Sequence, residues 1–129
     1  GNEILHNKNY AISNLVHQAK NKKTKFIKLN STSKVYRSFM HTSDLTEWLI
    51  KILNQSNKTC PIYNVGSNDE VSLDDLARMI AKHYNKKVIL KKNFNKKIED
   101  FYVPSIYKAK KELGLKIKKK LTDTIKIVI

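Results

Sequence analysis

At 129 residues the chain has room for one domain, or one part of a larger enzyme, and its 40% hydrophobic content is enough to build a core. Of three glycines Gly1 is terminal, so Gly66 and Gly114 stand alone and a glycine-rich phosphate cradle is excluded. The net charge is +15, but only Arg37 and Arg78 among 26 basic residues are arginines, which disfavours a dedicated nucleic-acid reader and favours lysine as a solvated surface residue.

Along the chain, Ile12, Leu15, Val16 and Ala19 fall on one helical stripe, ended by the lysine-rich break at residues 20–25. Phe26, Ile27 and Leu29 predict a short strand, Asn30 to Lys34 a polar turn, and Val35 to Met40 a second strand, so the pair reads as an antiparallel hairpin. Thr42 or Ser43 is positioned to cap the next helix, with Asp44 in its first turn and Leu45, Trp48, Leu49, Ile52 and Leu53 as its buried face. After the loop Asn54 to Thr59, Pro61 opens a strand Ile62 to Val65 that Gly66 ends. Ser72 and Asp75 have capping-box spacing for a helix Leu73 to Tyr84 that buries Leu76, Ala77, Ile80 and Tyr84. Beyond the break at Asn85, Val88 to Leu90 reads as a strand, and Pro104 starts a helix with Ile106, Ala109 and Leu113 inward and Gly114 as a left-handed C-terminal cap. Leu121 to Ile129 is a short apolar segment. The resulting expectation is a mixed α/β (α+β) fold of about four to five helices with short strands, forming a single domain over residues 1–129.

Cys60 is the only cysteine, which excludes a disulfide framework and a multi-cysteine zinc site and suggests a reducing, cytoplasmic setting. His6, His17, His41 and His83 lack metal-ligand spacing, so no metal site is expected, and no apolar run reaches membrane length. The charge is uneven: residues 91–120 hold eleven lysines against Glu99, Asp100 and Glu112, and residues 20–28 hold five lysines with no acid. A small basic module for nucleic acid or another polyanion is the alternative reading that these runs leave open.

A series of motifs then points to a family. In order stand Asn9-Tyr10-Ala11-Ile12-Ser13-Asn14-Leu15, Tyr36-Arg37-Ser38-Phe39 followed by Ser43-Asp44-Leu45, and Ile62-Tyr63-Asn64-Val65-Gly66-Ser67; next come Lys97-Ile98-Glu99-Asp100 before Tyr102-Val103-Pro104, and Lys108-Ala109 before Glu112-Leu113-Gly114-Leu115. Over about residues 9 to 126 this series resembles the C-terminal half of the extended short-chain dehydrogenases, the NAD-dependent nucleotide-sugar epimerases and dehydratases similar to UDP-glucose 4-epimerase and dTDP-glucose 4,6-dehydratase. The resemblance implies a substrate-binding portion whose NAD fingerprint and catalytic Tyr-x-x-x-Lys pair lie upstream. No catalytic residue, no cofactor site and no bound cofactor are then expected in this chain; NAD, the missing NAD-binding half and a nucleotide-diphosphate sugar are the implied partners, with self-association a further expectation.

By the same resemblance, Arg37 occupies the position that holds the diphosphate and ribose, where a planar guanidinium fork suits phosphate oxygens. Asn14 matches an asparagine whose amide donates to that diphosphate, with helix capping as its local alternative. Lys97 stands for a family arginine three residues before Asp100, which keeps a point charge but loses bidentate geometry; Asp100 itself would bond a ribose hydroxyl or orient a basic neighbour. Phe26 lies on the segment beside the nucleotide base and could stack on it. Two departures accompany these matches: the turn usually written Gly-Asp-Gly is here the longer Asn30 to Lys34, and Ser105 replaces an acid after Val-Pro. Tyr107 and Lys111 share the Tyr-x-x-x-Lys spacing, but they lie far from where the family keeps its base, so they are assigned no catalytic role.

Overall fold

The computed structural model describes residues 10–128, without the side chains of Thr124, Ile127 and Val128; Asn9 of the first motif, His6 and the terminal Ile129 lie outside the described residues. The chain divides into two compact units, one built from residues 10–37, 71–101 and 125–128 and the other from 38–70 and 102–124.

In the first unit, α1 (Ala11–Lys20) and α3 (Leu73–His83) enclose a core with β1 (Phe26–Lys28) and β4 (Lys87–Ile89). The stripe read from the sequence is the buried one: Leu15, Val16 and Ala19 from α1 meet Ile27, Leu29, Leu76, Ala77, Ile80 and Ala81. Ser72 caps α3 as its spacing predicts, its hydroxyl accepting the Asp75 N–H at 3.3 Å and donating to the Asp75 carboxylate at 2.5 Å. The helix ends at Tyr84, and Asn85 turns the chain in the left-handed region at φ 51°.

The hairpin is overturned. β1 pairs with β4 in parallel, Ile27 opposite Val88, whereas β2 (Lys34–Ser38) is the middle strand of a separate sheet ordered β3 (Glu70–Ser72), β2, β5 (Ile98–Tyr102). The cause lies in the connection. Tight hairpin turns need positive φ, and among the described non-glycine residues only Cys60 and Asn85 adopt it, so residues 29–33 carry the chain onward instead of folding it back. Burying Ile27 and Leu29 between the two helices then favours the parallel neighbour that α3 delivers. Thr32 bonds Asn95, Lys34 bonds Lys97 and Arg37 bonds Asp100 at one constant offset, so β2 and β5 run in the same direction.

The second unit is organised by α2 (Thr42–Asn54) and α4 (Tyr107–Leu113), with Trp48, Ile106, Ala109 and Leu115 as its buried cluster. Neither Thr42 nor Ser43 caps α2: the His41 ring nitrogen accepts the Ser43 N–H at 3.1 Å. Asp44 is buried because its carboxylate takes the backbone N–H groups of Lys118 and Lys119, at 2.9 and 3.0 Å, and Trp48 donates its indole N–H to the Lys116 carbonyl at 3.1 Å. Only part of the expected buried face of α2 is inside. Trp48 and Ile52 pack inward, while Leu45, Leu49 and Leu53 form an exposed stripe at i, i+4 and i+8.

The strand expected at residues 62–65 does not form, because no ladder neighbour stands beside them among the described residues. Side chains of the α4 region hold them instead: Lys108 donates to the Ile62 carbonyl at 3.1 Å, Tyr63 donates to Glu112 at 2.9 Å, and Asn64 donates to the Ser105 carbonyl at 3.1 Å. Pro104 precedes α4 by three residues rather than starting it, and its ring packs against Gly66, where a Cβ would meet Pro104 Cγ at 2.7 Å. Gly114 closes α4 in the left-handed conformation at φ 61°, as its position predicts. The last helix, α5, spans Leu121–Val128.

Candidate functional site

β2 and β5 lie side by side, and successive residues on a strand point to opposite faces. On one face the Tyr36 and Phe101 rings meet at a tilt of 38° with centroids 5.6 Å apart, and the Lys34 ammonium sits 5.8 Å from the Tyr36 ring. Arg37 and Asp100 meet at 2.5 Å through Nη2 and Oδ2, while Arg37 Nη1 donates to the Tyr36 carbonyl at 2.7 Å. The guanidinium is therefore braced from two directions, with other edges of its donor fork available, and both partners remain within reach of solvent at 31% and 53% exposure.

Of the five predicted site residues, the structure brings Arg37 and Asp100 into direct contact. Lys97 is set beside Lys34 by its carbonyl, which accepts the Lys34 N–H at 3.1 Å, and its own N–H is held by Asn95 Oδ1 at 2.9 Å. Asn14 and Phe26 belong to a second group on α1 and β1. Asn14 is in the second turn of α1, not at its cap, and its Oδ1 accepts the Gln18 amide at 2.7 Å. Gln18 in turn accepts the Lys28 N–H at 2.8 Å and donates to the Lys28 carbonyl at 3.1 Å, which ties α1 to β1. Phe26 is half-buried with the Lys28 ammonium 5.5 Å from its ring. Among the described residues, neither Phe26 nor Lys97 makes a hydrogen bond, ion pair or ring contact with Arg37.

Sequence reasoning missed three contributors. Gln18 is signalled by its Asn14 spacing of four residues, a pairing that helices favour. Glu99, which accepts the hydroxyl of buried Ser33, and Phe101 sit on β5, whose faces mix polar and apolar residues, so no alternation marks the strand. The Tyr107 and Lys111 pair does share a helix face, but as an exposed cation–π contact at 5.7 Å.

Gly66 is spent on the approach of Pro104 and Gly114 on a helix end, so neither opens a backbone cradle for a pyrophosphate. Among the described residues no group of three or more His, Cys, Asp or Glu side chains is placed to hold a metal, and no helix is long and apolar enough to cross a membrane.

No protein-family model and no curated protein matches the chain. Solved structures do. The UDP-glucose 4-epimerase of Thermotoga maritima, determined with UDP-glucose, superposes with a TM-score of 0.73 at 13% identity, over 96% of this chain and 39% of its own. The WbmG enzyme of Bordetella bronchiseptica, in complex with NAD and UDP, gives 0.68 at 20% identity over 91% and 36%. The UDP-glucuronic acid 4-epimerase of Bacillus cereus, in complex with NAD, gives 0.67 at 20% identity over 92% and 35%. The chain has the fold of part of these enzymes. That shared fold spans less than half of each neighbour's length, and the mixed α/β class, with five helices among the described residues, agrees with the sequence reading.

Proposed function

We propose that the chain is the C-terminal, nucleotide-sugar-binding portion of an NAD-dependent sugar epimerase or dehydratase. The Arg37–Asp100 pair carries this reading: a braced guanidinium stands on β2 at the position that the motif resemblance assigns to the diphosphate, in a fold shared with enzymes solved with UDP or UDP-glucose. A diphosphate presents two or more negative charges, and the fork offers parallel N–H donors to its oxygens while Asp100 fixes the plane of the fork or turns to a ribose hydroxyl. Lys97 adds a point charge, Asn14 an amide donor and Phe26 an aromatic wall for the base. The contribution is positioning: the chain holds the nucleotide so that the hexose lies against chemistry supplied elsewhere. NAD, whose role is hydride transfer, is assigned to the half of the enzyme that this chain lacks, in a cytoplasmic setting.

Support for such a half comes from the second unit. Leu45, Leu49, Ile50 and Leu53 of α2 are exposed, Leu53 at 70%, and Ile62 is exposed at 82% on a segment without a strand neighbour among the described residues. A larger chain carrying the remaining three-fifths of the neighbours' length would cover that face and supply the neighbour. The test is binding of UDP-glucose and dTDP-glucose by the chain, followed by saturation-transfer NMR. Weak binding that Arg37→Ala abolishes, with no turnover on adding NAD, is the expected result; turnover by the chain alone, or binding indifferent to Arg37, contradicts it.

A further inference from the structure

Three of the five lysines of residues 20–28 come together in the folded chain. Lys20, Lys22 and Lys25, with Thr24, Tyr84 and Lys86, line a cavity of about 490 Å3 in the first unit, and no carboxylate lines it. The volume falls within the roughly 300–1,000 Å3 of small-molecule sites. Two helix ends meet there, since Lys20 is the last residue of α1 and Tyr84 caps α3 at its C-terminus, and their carbonyls alone would repel an anion. Lys86 answers α1: its ammonium donates to the carbonyls of Gln18 and Asn21 at 2.9 and 2.6 Å. That leaves Lys20, Lys22 and Lys25, none of which is paired with a carboxylate among the described residues.

The loop that presents them is held in place. Asn21 Oδ1 accepts the Lys23 N–H at 3.0 Å, which turns the segment on itself, and the Lys25 carbonyl accepts the Lys87 N–H at 3.1 Å, which ties its end to β4. Three like charges gathered around a hollow repel one another, and a compact multivalent anion relieves that repulsion while finding point-charge donors that demand no fixed geometry. We propose that this cavity is a second anion site, separate in its residues from the Arg37–Asp100 pair, that takes a small polyphosphate group.

The experiment is calorimetric titration of the whole chain with inorganic tripolyphosphate and with pyrophosphate, checked by melting temperature. The parent is expected to bind tripolyphosphate and melt higher with it. The triple variant Lys20→Ala, Lys22→Ala, Lys25→Ala should lose affinity at least tenfold with its circular dichroism unchanged, and the triple Lys→Arg variant should keep it. Equal loss in a control Lys91→Ala, Lys92→Ala, Lys96→Ala variant would reduce the effect to overall charge and overturn the proposal. So would tighter binding, per phosphate, of a single-stranded oligonucleotide that depends on the control lysines as well, because it would make the lysines a nucleic-acid face rather than a built cavity.

Discussion

Arg37 and Asp100 test how much of the chemistry a single ion pair carries. Both are partly exposed, at 31% and 53%, so the pair contributes only about 0.2–1 kcal/mol to stability. Asp100→Asn, which keeps the shape and removes the charge, should therefore barely move the melting temperature, yet it should weaken nucleotide-sugar binding several-fold by loosening the guanidinium. Arg37→Lys, which keeps the charge and loses the fork, should fall between the parent and Arg37→Ala in the same titration. Unchanged affinity in Asp100→Asn would show that the carboxylate does not orient the fork. A different residue, Tyr63, reports on pH. Its phenol donates to Glu112, and this hydrogen bond, followed by burial and the Glu112 charge, pushes its ionisation above the usual tyrosine range. The folded chain thus holds the phenol proton more tightly than the unfolded one, so the stabilisation is whole below about pH 10 and is lost as pH climbs through the raised folded value. An ultraviolet titration should find late phenolate transitions for Tyr63 and for Tyr84, which burial pushes up, and Glu112→Gln should bring only that of Tyr63 back toward normal; no change in the variant would remove Glu112 as the cause.

At the scale of elements, local signals were readable where one side chain answers one backbone group. Ser72→Ala should cost about 1 kcal/mol in urea melts, because the α3 cap depends on that hydroxyl. Gly114→Ala should cost about 1–2 kcal/mol, since any Cβ is strained at φ 61°. A melt that does not respond to either change would contradict these assignments. The α1 stripe, the Ser72 cap and the Gly114 terminus were legible for this reason. Pairing was not. Which strand lies beside β1 depends on what α3 carries back to it, and the polar turn at residues 30–34 looks the same whether the chain reverses or runs on. β5 escaped notice because Ile98, Asp100 and Tyr102 on one face and Glu99 and Phe101 on the other mix apolar and polar residues. The site suffered the same limit: Arg37 could be singled out as one of two arginines, but the Gln18 bridge that occupies Asn14 is visible only once α1 packs beside β1.

For the molecule as a whole, the pattern of exposure is the informative feature. The sequence marks Leu45, Leu49 and Leu53 as a core face, and in the chain they are exposed, as a face that the proposed remaining half covers would be. Sedimentation velocity of the chain alone should accordingly show concentration-dependent association, and Leu49→Lys with Leu53→Lys should return it to monomer without loss of helicity. A parent that sediments as a clean monomer at high concentration would mean that the face has no such role. Trp48→Ala should unfold the second unit's core at a cost of about 3–5 kcal/mol, because the indole is buried and its N–H is committed to Lys116.

The central claim is that a guanidinium on β2, steadied by a carboxylate on β5, grips the diphosphate of a sugar nucleotide. Nitrogen-15 NMR of the Arg37 side chain during titration with UDP-glucose addresses it most directly. The account predicts a progressive shift of the Arg37 Nε resonance, accompanied by the Asp100 backbone amide and absent when UDP-glucose is replaced by uncharged glucose. Saturating UDP-glucose shifts that map to other residues, with Arg37 unmoved, would contradict it.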